Sequence, residues 1–285
     1  MADGGALCRS ETQYGQPGQR LTLANGDTAW VALQGAQPVS WRAARRERLY
    51  LSPRNHWDGH SAIRGGVPVC FPQFNQRGSL PKHGFARNLA WSLGASTVRD
   101  DKVEQDFVLT SNPQTLALWP QQFEATLRVA LAPGEMTLTL SVRNTDDKPL
   151  DFSGALHTYF AVDQIAQVRL TGLQGQAEWD AVRDHHGSAG VALQFDGEFD
   201  RVYDAAPGPL GLHDGANHLA ISQSASWAHS VVWNPGPEKC ATMADLPEDG
   251  FAHFVCVEAA QVMSPITVPA AATWQGWQRF GVVED

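Results

Sequence analysis

One histidine and one glutamate stand at positions where either could take part in proton transfer. His157 lies in an alternating run, 150–160, where it shares a face with small and polar neighbours. Glu258 ends a second run, 251–258, whose two faces are both apolar near its end, as in a strand covered on both sides. A carboxylate there is costly to bury, and desolvation would raise its pKa towards that of a general base. Each residue also has an ordinary interpretation: a hydrogen-bonded structural histidine, and a strand-end glutamate turned towards water.

A long connection, 52–90, concentrates cationic residues among glycines and prolines. A loop of this length is unusual in a compact domain unless it has a function. Arg64, Lys82 and Arg87 supply cationic donors, and a guanidinium group matches phosphate oxygens bidentately. Gly84 permits backbone angles that bring the chain close to a ligand. The sequence has no GxxxxGK[ST] motif, so this is not a P-loop; three solvated surface charges are the alternative interpretation.

The other groups of potential ligands are weaker. His185-His186 follows Asp184 in a segment that reads as an exposed turn, and no spacing completes a metal-ligand set, so no metal is expected. The four cysteines form no CxxC pair. Cys70 and Cys256 lie in apolar runs and are predicted to be core residues, with all four thiols reduced.

The charge of the chain limits its partners. The 285 residues carry a net charge of -9, which argues against a general binder of nucleic acid or anionic membranes. The first 91 residues nevertheless hold 11 Lys and Arg against 5 Asp and Glu, so a local basic cluster could serve one small anion. No apolar run approaches the ~20 residues needed to span a bilayer, and the N-terminal segment lacks the basic and apolar regions of a signal peptide. A cytoplasmic location is therefore predicted.

Short alternating segments separated by turn residues predict an antiparallel all-β fold, a sandwich or barrel. Asn25-Gly26 predicts a hairpin over 20–33 with a tight turn that has positive φ at both central residues. Helical periodicity over ten or more residues is absent almost everywhere. Further strands are predicted at 123–131, 135–143, 150–160, 166–171, 191–196, 218–223, 229–233, 251–258 and 276–283.

Seven short blocks follow one another along the chain: RGGVPVCFPQF at 64–74, LPKHGFAR at 80–87, HTYF at 157–160, DRVY at 200–203, VVWNP at 231–235, MAD at 243–245 and VCVE at 255–258. In this order they resemble the glucose-6-phosphate 1-epimerases, also called hexose-6-phosphate mutarotases, a branch of the aldose 1-epimerase superfamily. The resemblance covers most of the chain. Its specificity comes from the ordered set, since any one block alone would not be specific.

The resemblance implies a galactose-mutarotase-like antiparallel β-sandwich, or supersandwich, formed by residues 1–285 as a single domain, with the sugar in the concave face of one sheet. It also implies an isomerase that interconverts the α and β anomers of glucose 6-phosphate or a related hexose 6-phosphate by acid–base ring opening and reclosure. No metal or other cofactor is expected. The expected partner is the hexose 6-phosphate, without nucleic acid or membrane, and we expect a monomer.

The resemblance assigns a role to each candidate residue. His157 matches the general acid and Glu258 the general base, with the glutamate ionised and the histidine protonated in the resting complex. Arg64, Arg87 and Asp200 match substrate-binding positions. Lys82 occupies a further contact position where relatives often carry a neutral residue such as Gln, which puts affinity or substrate choice in question more than reaction type. Candidate sugar contacts are Phe74, His83 and Trp233, with core packing as the alternative for the two larger aromatic rings.

Two other functions are compatible with parts of the sequence. An aldose 1-epimerase acting on non-phosphorylated sugars would not need Arg64 and Arg87, because a neutral sugar requires no cationic pair. A non-catalytic carbohydrate-binding module would not need both His157 and Glu258, because binding alone requires no acid–base pair. The remaining arginines of the basic first third match no block and are interpreted as solvated surface charge: Arg42, Arg45, Arg46, Arg48 and Arg54.

Overall fold

The computed structural model of the chain describes residues 5–283; residues 1–4 and 284–285, which include most of the segment inspected for a signal peptide, lie outside that range. Among the described residues, no helix is both long and apolar enough to cross a membrane. Two short α-helices are present, α1 (Pro113–Leu118) and α2 (Gly236–Cys240). Single turns of 3-10 helix lie at Ala86–Asn88, Ile165–Gln167 and Gly250–His253.

The described part of the chain is otherwise built from strands. In chain order they are β1 (Leu7–Gln13), β2 (Gln16–Thr22), β3 (Thr28–Ala32), β4 (Gln37–Ala43), β5 (Arg46–Glu47), β6 (Val69–Cys70), β7 (Ser92–Arg99), β8 (Lys102–Thr110), β9 (Phe123–Ala132), β10 (Glu135–Asn144), β11 (Leu150–Leu156), β12 (Tyr159–Ala161), β13 (Arg169–Thr171), β14 (Ala177–Asp180), β15 (His185–Ser188), β16 (Ala192–Leu193), β17 (Phe199–Asp204), β18 (Leu210–Asp214), β19 (Asn217–Gln223), β20 (His229–Asn234), β21 (Phe254–Val268) and β22 (Thr273–Val283).

These strands form three sheets. A five-stranded sheet contains β1 to β5 in sequence order. A nine-stranded sheet has the order β16-β13-β18-β19-β22-β10-β9-β8-β7, and an eight-stranded sheet has the order β15-β14-β17-β20-β21-β11-β6 with β12 paired to β21. The strands on either side of the central β21 pair with it in antiparallel register. The predicted antiparallel all-β sandwich is therefore confirmed.

The two larger sheets meet through their apolar faces. Along β10 the alternation of the sequence buries one face completely, because side chains at every second position point the same way. Phe160 of the eight-stranded sheet contacts Phe280 of the nine-stranded sheet, with ring centroids 5.2 Å apart. Trp41 of the five-stranded sheet reaches the same Phe280 at 5.1 Å, so the small sheet covers part of the same core. This packing leaves the opposite face of the eight-stranded sheet to the loops that cover it.

The predicted hairpin is present, but its turn differs from the prediction. Strands β2 and β3 pair across a loop closed by hydrogen bonds from the Leu23 N–H to the Asp27 carbonyl (2.9 Å) and from the Gly26 N–H to the Leu23 carbonyl (3.0 Å). Only Gly26 has positive φ, at 91°, whereas Asn25 does not. The extra residue makes this a three-residue loop, and such loops need only one left-handed position.

The predicted strand 150–160 is interrupted between β11 and β12. There the N–H of His157 donates to the carbonyl of Pro68 (3.0 Å), and the N–H of Tyr159 donates to that of Gly66 (2.9 Å). The chain stays extended: its N–H groups bind the long connection 52–90, while the Thr158 carbonyl still accepts from the Val257 N–H of β21 (3.1 Å). This places the histidine at a break in the sheet, directly against the loop that carries the cationic residues.

The remaining strand predictions have mixed outcomes. Five strands are present with small shifts at their ends: 123–131, 135–143, 218–223, 229–233 and 276–283. Of the others, 166–171 is a 3-10 turn followed by β13, 191–196 shrinks to β16, and 251–258 opens with a 3-10 turn and continues as β21 to Val268. The expected exposed turn at His185-His186 is wrong in part, because both residues lie in β15, an exposed strand at the sheet edge.

Candidate active site

A pocket of about 440 Å³ opens on the outer face of the eight-stranded sheet. Strand alternation explains which side chains reach it: Val255 and Val257 of β21 point into the main core, and Glu258 points the other way. The pocket brings together all nine side chains selected from the sequence, namely Arg64, Phe74, Lys82, His83, Arg87, His157, Asp200, Trp233 and Glu258. Six further residues line it: Asn75, Gln76, Val231, Lys239, Thr242 and Met243.

The imidazole of His157 and the carboxylate of Glu258 are in direct contact. His157 Nε2 lies 3.2 Å from Glu258 Oε1, and the side chains are only 9% and 1% exposed. Among the described residues, His157 Nδ1 and Glu258 Oε2 have no hydrogen-bond partner. The pair therefore keeps one buried nitrogen and one buried oxygen unengaged by other protein groups.

Burial sets the protonation of this pair. It raises the pKa of the Glu258 carboxyl well above its usual range, with a further contribution from the charge of Asp200. It lowers the pKa of the His157 imidazole, and the charges of Arg64 and Arg87 lower it further. The protein groups by themselves therefore favour a protonated Glu258 beside a neutral His157. The ionised glutamate and protonated histidine expected from the sequence hold the same number of protons, so the two forms differ only by one transfer across the 3.2 Å contact.

Arg64 is already engaged by the protein. Its Nη2 lies 2.8 Å from Asp245 Oδ2, its Nε donates to the same oxygen at 3.0 Å, and its Nη1 donates to the Tyr159 hydroxyl at 2.8 Å. The Tyr159 ring stacks on the His157 imidazole, with centroids 4.9 Å apart and planes within 10°. One contiguous set of contacts thus links a cation of the loop to the acid–base pair.

Lys82 and Arg87 differ from Arg64 because no carboxylate among the described residues pairs with either. Arg87 Nη2 donates to the Lys82 carbonyl at 3.0 Å, and the buried Arg87 Nε has no partner. Burial lowers the pKa of Lys82, and the charge of Arg64 adds to this effect. Two adjacent cations that lack counter-ions within the protein create a site for an anion.

Asp200 and Lys239 line the same pocket from β17 and α2, and the charges of both act on Lys82. Asp200 is paired in register with Trp233 of β20, and burial raises the pKa of its carboxyl to about 6. Lys239 forms an ion pair with Glu198. Lys239 could not be found from sequence, because it lies outside the seven blocks and no spacing marks it. Asp245 lies in the MAD block, but nothing near it in sequence indicates its partner.

The shifted pKa of Asp200 predicts a pH-dependent effect of Asp200→Asn on stability. A carboxyl whose folded pKa is about 6, against about 4 when unfolded, binds more protons in the folded state between those values. Stability is therefore lost as the pH rises through this window, and an amide avoids the loss. We expect the variant to be more stable than wild type by about 2 kcal/mol at pH 7 and unchanged at pH 4, as measured by urea unfolding. An equal difference at both pH values would contradict the assignment.

The His83-Gly84 turn places a third ring beside the pair. Gly84 has φ of 71°, and a Cβ there would lie 2.1 Å from the Phe71 carbonyl oxygen, so the predicted need for glycine is confirmed. His83 Nδ1 accepts the Asn75 N–H at 3.2 Å, which leaves Nε2 as the protonated nitrogen. Burial, with the charge of His157, lowers the pKa of His83, so it is a neutral hydrogen-bond donor at the pocket.

The two large aromatic residues combine core packing with a place in the pocket lining, and contact with a sugar stays a prediction. Trp233 and Phe74 line the pocket, yet they are only 9% and 6% exposed. The Trp233 ring meets the His157 ring edge-on at 6.0 Å, and the Phe74 ring meets His83 at 5.4 Å. Each lines the pocket while it packs against the imidazole of His157 or of its neighbour His83.

The basic residues outside the pocket are not uniformly solvated. Arg48 is buried, with its Nε donating to the Ala43 carbonyl at 3.2 Å, so its interpretation as surface charge is wrong. Arg46 is bound between Asp163 and Asp214, at 2.8 and 2.9 Å. These contacts give the two arginines structural partners.

The predicted burial of Cys70 and Cys256 is confirmed. Cys70 and Cys256 are fully buried, and all four cysteines are free thiols.

Comparison with known proteins agrees with this geometry. A protein of Cenchrus ciliaris with the provisional name glucose-6-phosphate 1-epimerase is 36% identical over 269 residues, which cover 90% of this chain and 82% of that protein. The crystal structure of a provisionally named mutarotase from Salmonella typhimurium has a TM-score of 0.90 at 30% identity, covering 98% of this chain and 94% of that one. A galactose mutarotase related enzyme from Lactobacillus acidophilus has a TM-score of 0.73 at 14% identity, with 98% of both chains covered, and so shares the fold.

The family profile described as aldose 1-epimerase matches residues 19–281, nearly the whole described chain. The chain therefore belongs to the aldose 1-epimerase family.

Proposed function

We propose that the protein interconverts the α and β anomers of glucose 6-phosphate or a closely related hexose 6-phosphate. The observation that supports this best is the placement of a buried acid–base pair, His157 and Glu258, in one pocket with two cations that lack counter-ions, Lys82 and Arg87. The pair fits the chemistry at the anomeric carbon. The cations fit the phosphate at the far end of the sugar.

The reaction needs two proton transfers in each direction. Glu258 removes the proton of the anomeric hydroxyl while His157 delivers a proton to the ring oxygen, so the bond between C1 and the ring oxygen breaks and an open-chain aldehyde forms. Rotation about the C1–C2 bond turns the other face of the carbonyl towards the ring oxygen. The same two residues then return the protons as the ring closes. Each positioned proton transfer typically contributes ~10²–10⁴-fold to the rate.

Substrate binding favours the reactive protonation form. The charges of Arg64, Arg87 and Lys82 all lower the pKa of His157 within the protein. A phosphate dianion beside them offsets that field, so the imidazole gains affinity for the proton held by Glu258. Moving this proton across the 3.2 Å contact yields the ionised base and protonated acid without any exchange with solvent.

The other two functions are less well supported by the pocket. A neutral aldose would leave Lys82 and Arg87 facing each other without an anion, and their mutual repulsion is costly in a partly buried site. A binding module would gain nothing from a desolvated glutamate in contact with a desolvated histidine.

Magnetisation-exchange NMR tests the proposal directly. The rate of α–β exchange is measured on glucose 6-phosphate and on free glucose, with and without the protein. We expect strong acceleration for the phosphate ester and much less for glucose. Exchange of both sugars at the spontaneous rate would reject the enzyme assignment, and equal acceleration of both would reject the phosphate preference.

The ion pair between Arg64 and Asp245 predicts that Asp245→Asn has opposite effects on phosphate binding and on turnover. Asp245→Asn removes a negative charge 2.8 Å from the guanidinium, so we expect inorganic phosphate to bind about 5-fold more tightly. The same change loosens the Arg64 side chain that supports Tyr159 and the stacked His157, so kcat should fall. Phosphate binding by calorimetry and exchange kinetics by NMR measure the two effects. Asp147→Asn, at an exposed position outside the pocket, is the control; weaker phosphate binding in Asp245→Asn would refute the charge argument.

A further inference from the structure

The acid–base pair has a thiol as its immediate neighbour. A ring nitrogen of His157, the Sγ of Cys256 and a carboxylate oxygen of Glu258 all lie within 4.8 Å of one another, and all three residues are buried. Cys256 and Glu258 are two positions apart on β21, so their side chains leave the same face of the strand. His157 reaches them from the break between β11 and β12.

This combination of nitrogen, sulfur and oxygen matches the ligands of zinc. Zn²⁺ accepts imidazole, thiolate and carboxylate at ~2.0–2.3 Å, and sites with three protein ligands keep a fourth position open. Ligand atoms around a tetrahedral ion at those bond lengths stand roughly 3.3–3.8 Å apart. The His157 Nε2 to Glu258 Oε1 distance of 3.2 Å lies just below this range, so these two groups need only a slight separation while Cys256 moves inwards. The open fourth position would face the pocket, which His157 and Glu258 line.

The local charge does not oppose such an ion. A divalent cation held by one thiolate and one carboxylate forms a neutral unit, the same net charge as the protonated thiol and carboxyl it replaces. Arg64, Lys82 and Arg87 therefore repel the occupied site no more than the protonated one. Among the described residues, the second ring nitrogen of His157 has no hydrogen-bond partner, and permanent zinc sites usually supply one. This favours an exchangeable ion over a structural one.

We propose that His157, Cys256 and Glu258 form an inhibitory site for Zn²⁺, in which the metal occupies the acid and the base together. Metal binding stands on the ligand geometry alone, whereas inhibition rests on the proposed function. A sugar in the pocket and a metal on its two proton-transfer groups exclude each other, because both require the same atoms of His157 and Glu258.

Binding is tested on the full chain with zinc and with cobalt as a spectroscopic probe. Competition with a chromophoric chelator should give one Zn²⁺ per chain, and Co²⁺ should produce a thiolate-to-metal charge-transfer absorption. Cys256→Ser should weaken zinc binding at least about 10²-fold, more than loss of an outer-shell partner does, and abolish the absorption. Cys240→Ser, which removes another buried thiol, should leave both unchanged. The site would be overturned if the wild-type protein with Co²⁺ lacks the absorption, or if Cys256→Ser binds zinc as tightly as wild type. If Cys256→Ser does not fold, the absorption of the wild-type protein alone tests the site.

Inhibition is tested by NMR anomer exchange, with each variant compared with its own metal-free rate. Zinc should slow wild type and a chelator should restore the rate, while Cys256→Ser should require at least about 10²-fold more zinc for the same inhibition. Pre-bound glucose 6-phosphate should raise the zinc concentration needed. If the metal-free protein shows no exchange, the proposed function fails while the binding result stands. If exchange is rapid and a saturating equivalent of bound zinc leaves it unchanged, the inhibitory role fails.

Discussion

Replacing Glu258 with Gln is expected to lower kcat for anomer exchange of glucose 6-phosphate by about 10³-fold. The amide has the shape of the carboxyl but cannot take the proton of the anomeric hydroxyl. Folding should survive, because burial raises the pKa of Glu258 and so favours the neutral carboxyl, whose shape and charge the amide shares. The variant should bind inorganic phosphate as wild type does, so the loss should fall on kcat and not on binding.

Magnetisation-exchange NMR and thermal unfolding, measured on the same samples, separate chemistry from stability. Glu238→Gln is the matched control, since it makes the same change at an exposed position of α2 outside the pocket lining, and it should exchange anomers at the wild-type rate. Adding His157→Asn to Glu258→Gln should cost much less than it does in wild type, because groups that act as a unit are not additive. If Glu258→Gln keeps more than about a tenth of the wild-type rate, Glu258 is not the base.

The second large effect is expected from Arg87→Ala. We expect KM for glucose 6-phosphate to rise by roughly 10–100-fold, the equivalent of one charged hydrogen bond of about 1.5–3 kcal/mol. The residual exchange of free glucose should not change. Arg87 was chosen over Arg64 because it has an unpartnered buried Nε and no carboxylate contact, whereas Arg64 is already paired with Asp245.

Kinetics with the two sugars distinguish a phosphate contact from a general effect on the pocket. Arg42→Ala removes an exposed arginine from the five-stranded sheet and should change neither sugar. The KM difference between wild type and Arg87→Ala should also shrink as salt is added, because the contact is electrostatic. Equal losses for glucose and glucose 6-phosphate would show that Arg87 supports the pocket without binding phosphate.

Sequence reasoning found the pocket residues better than it found their partners. His157 and Glu258 could be named because residue type, apolar flanks and the family blocks coincide at both positions. Their contact could not be derived, since it depends on two strands that pair across a separation of 101 residues. The Arg64–Asp245 ion pair joins residues 181 apart, and no local pattern records such a contact.

The prediction of strand ends from sequence was limited, because alternation measures burial and not hydrogen bonding. Period-two alternation reports which side of an extended chain is buried, and it continues through His157 although the strand ends there. What changes is where the N–H groups of His157 and Tyr159 donate, to the carbonyls of Pro68 and Gly66, while Thr158 keeps its bond to β21; this does not depend on side-chain type. The exposed strand β7 was missed for the converse reason: it buries too little for alternation to appear.

The structure divides the pocket between two kinds of backbone. His157 and Glu258 belong to the sheet or its interruption, whereas Lys82 and Arg87 belong to the loop between β6 and β7. The carbonyls of Gly66 and Pro68, which hold the backbone at His157, lie before β6. Replacement of the loop after β6 in evolution, or by grafting in the laboratory, can therefore change the anion that is recognised while the backbone contacts of the proton-transfer pair are kept. Substrate range and reaction type in this scaffold can diverge at separate rates.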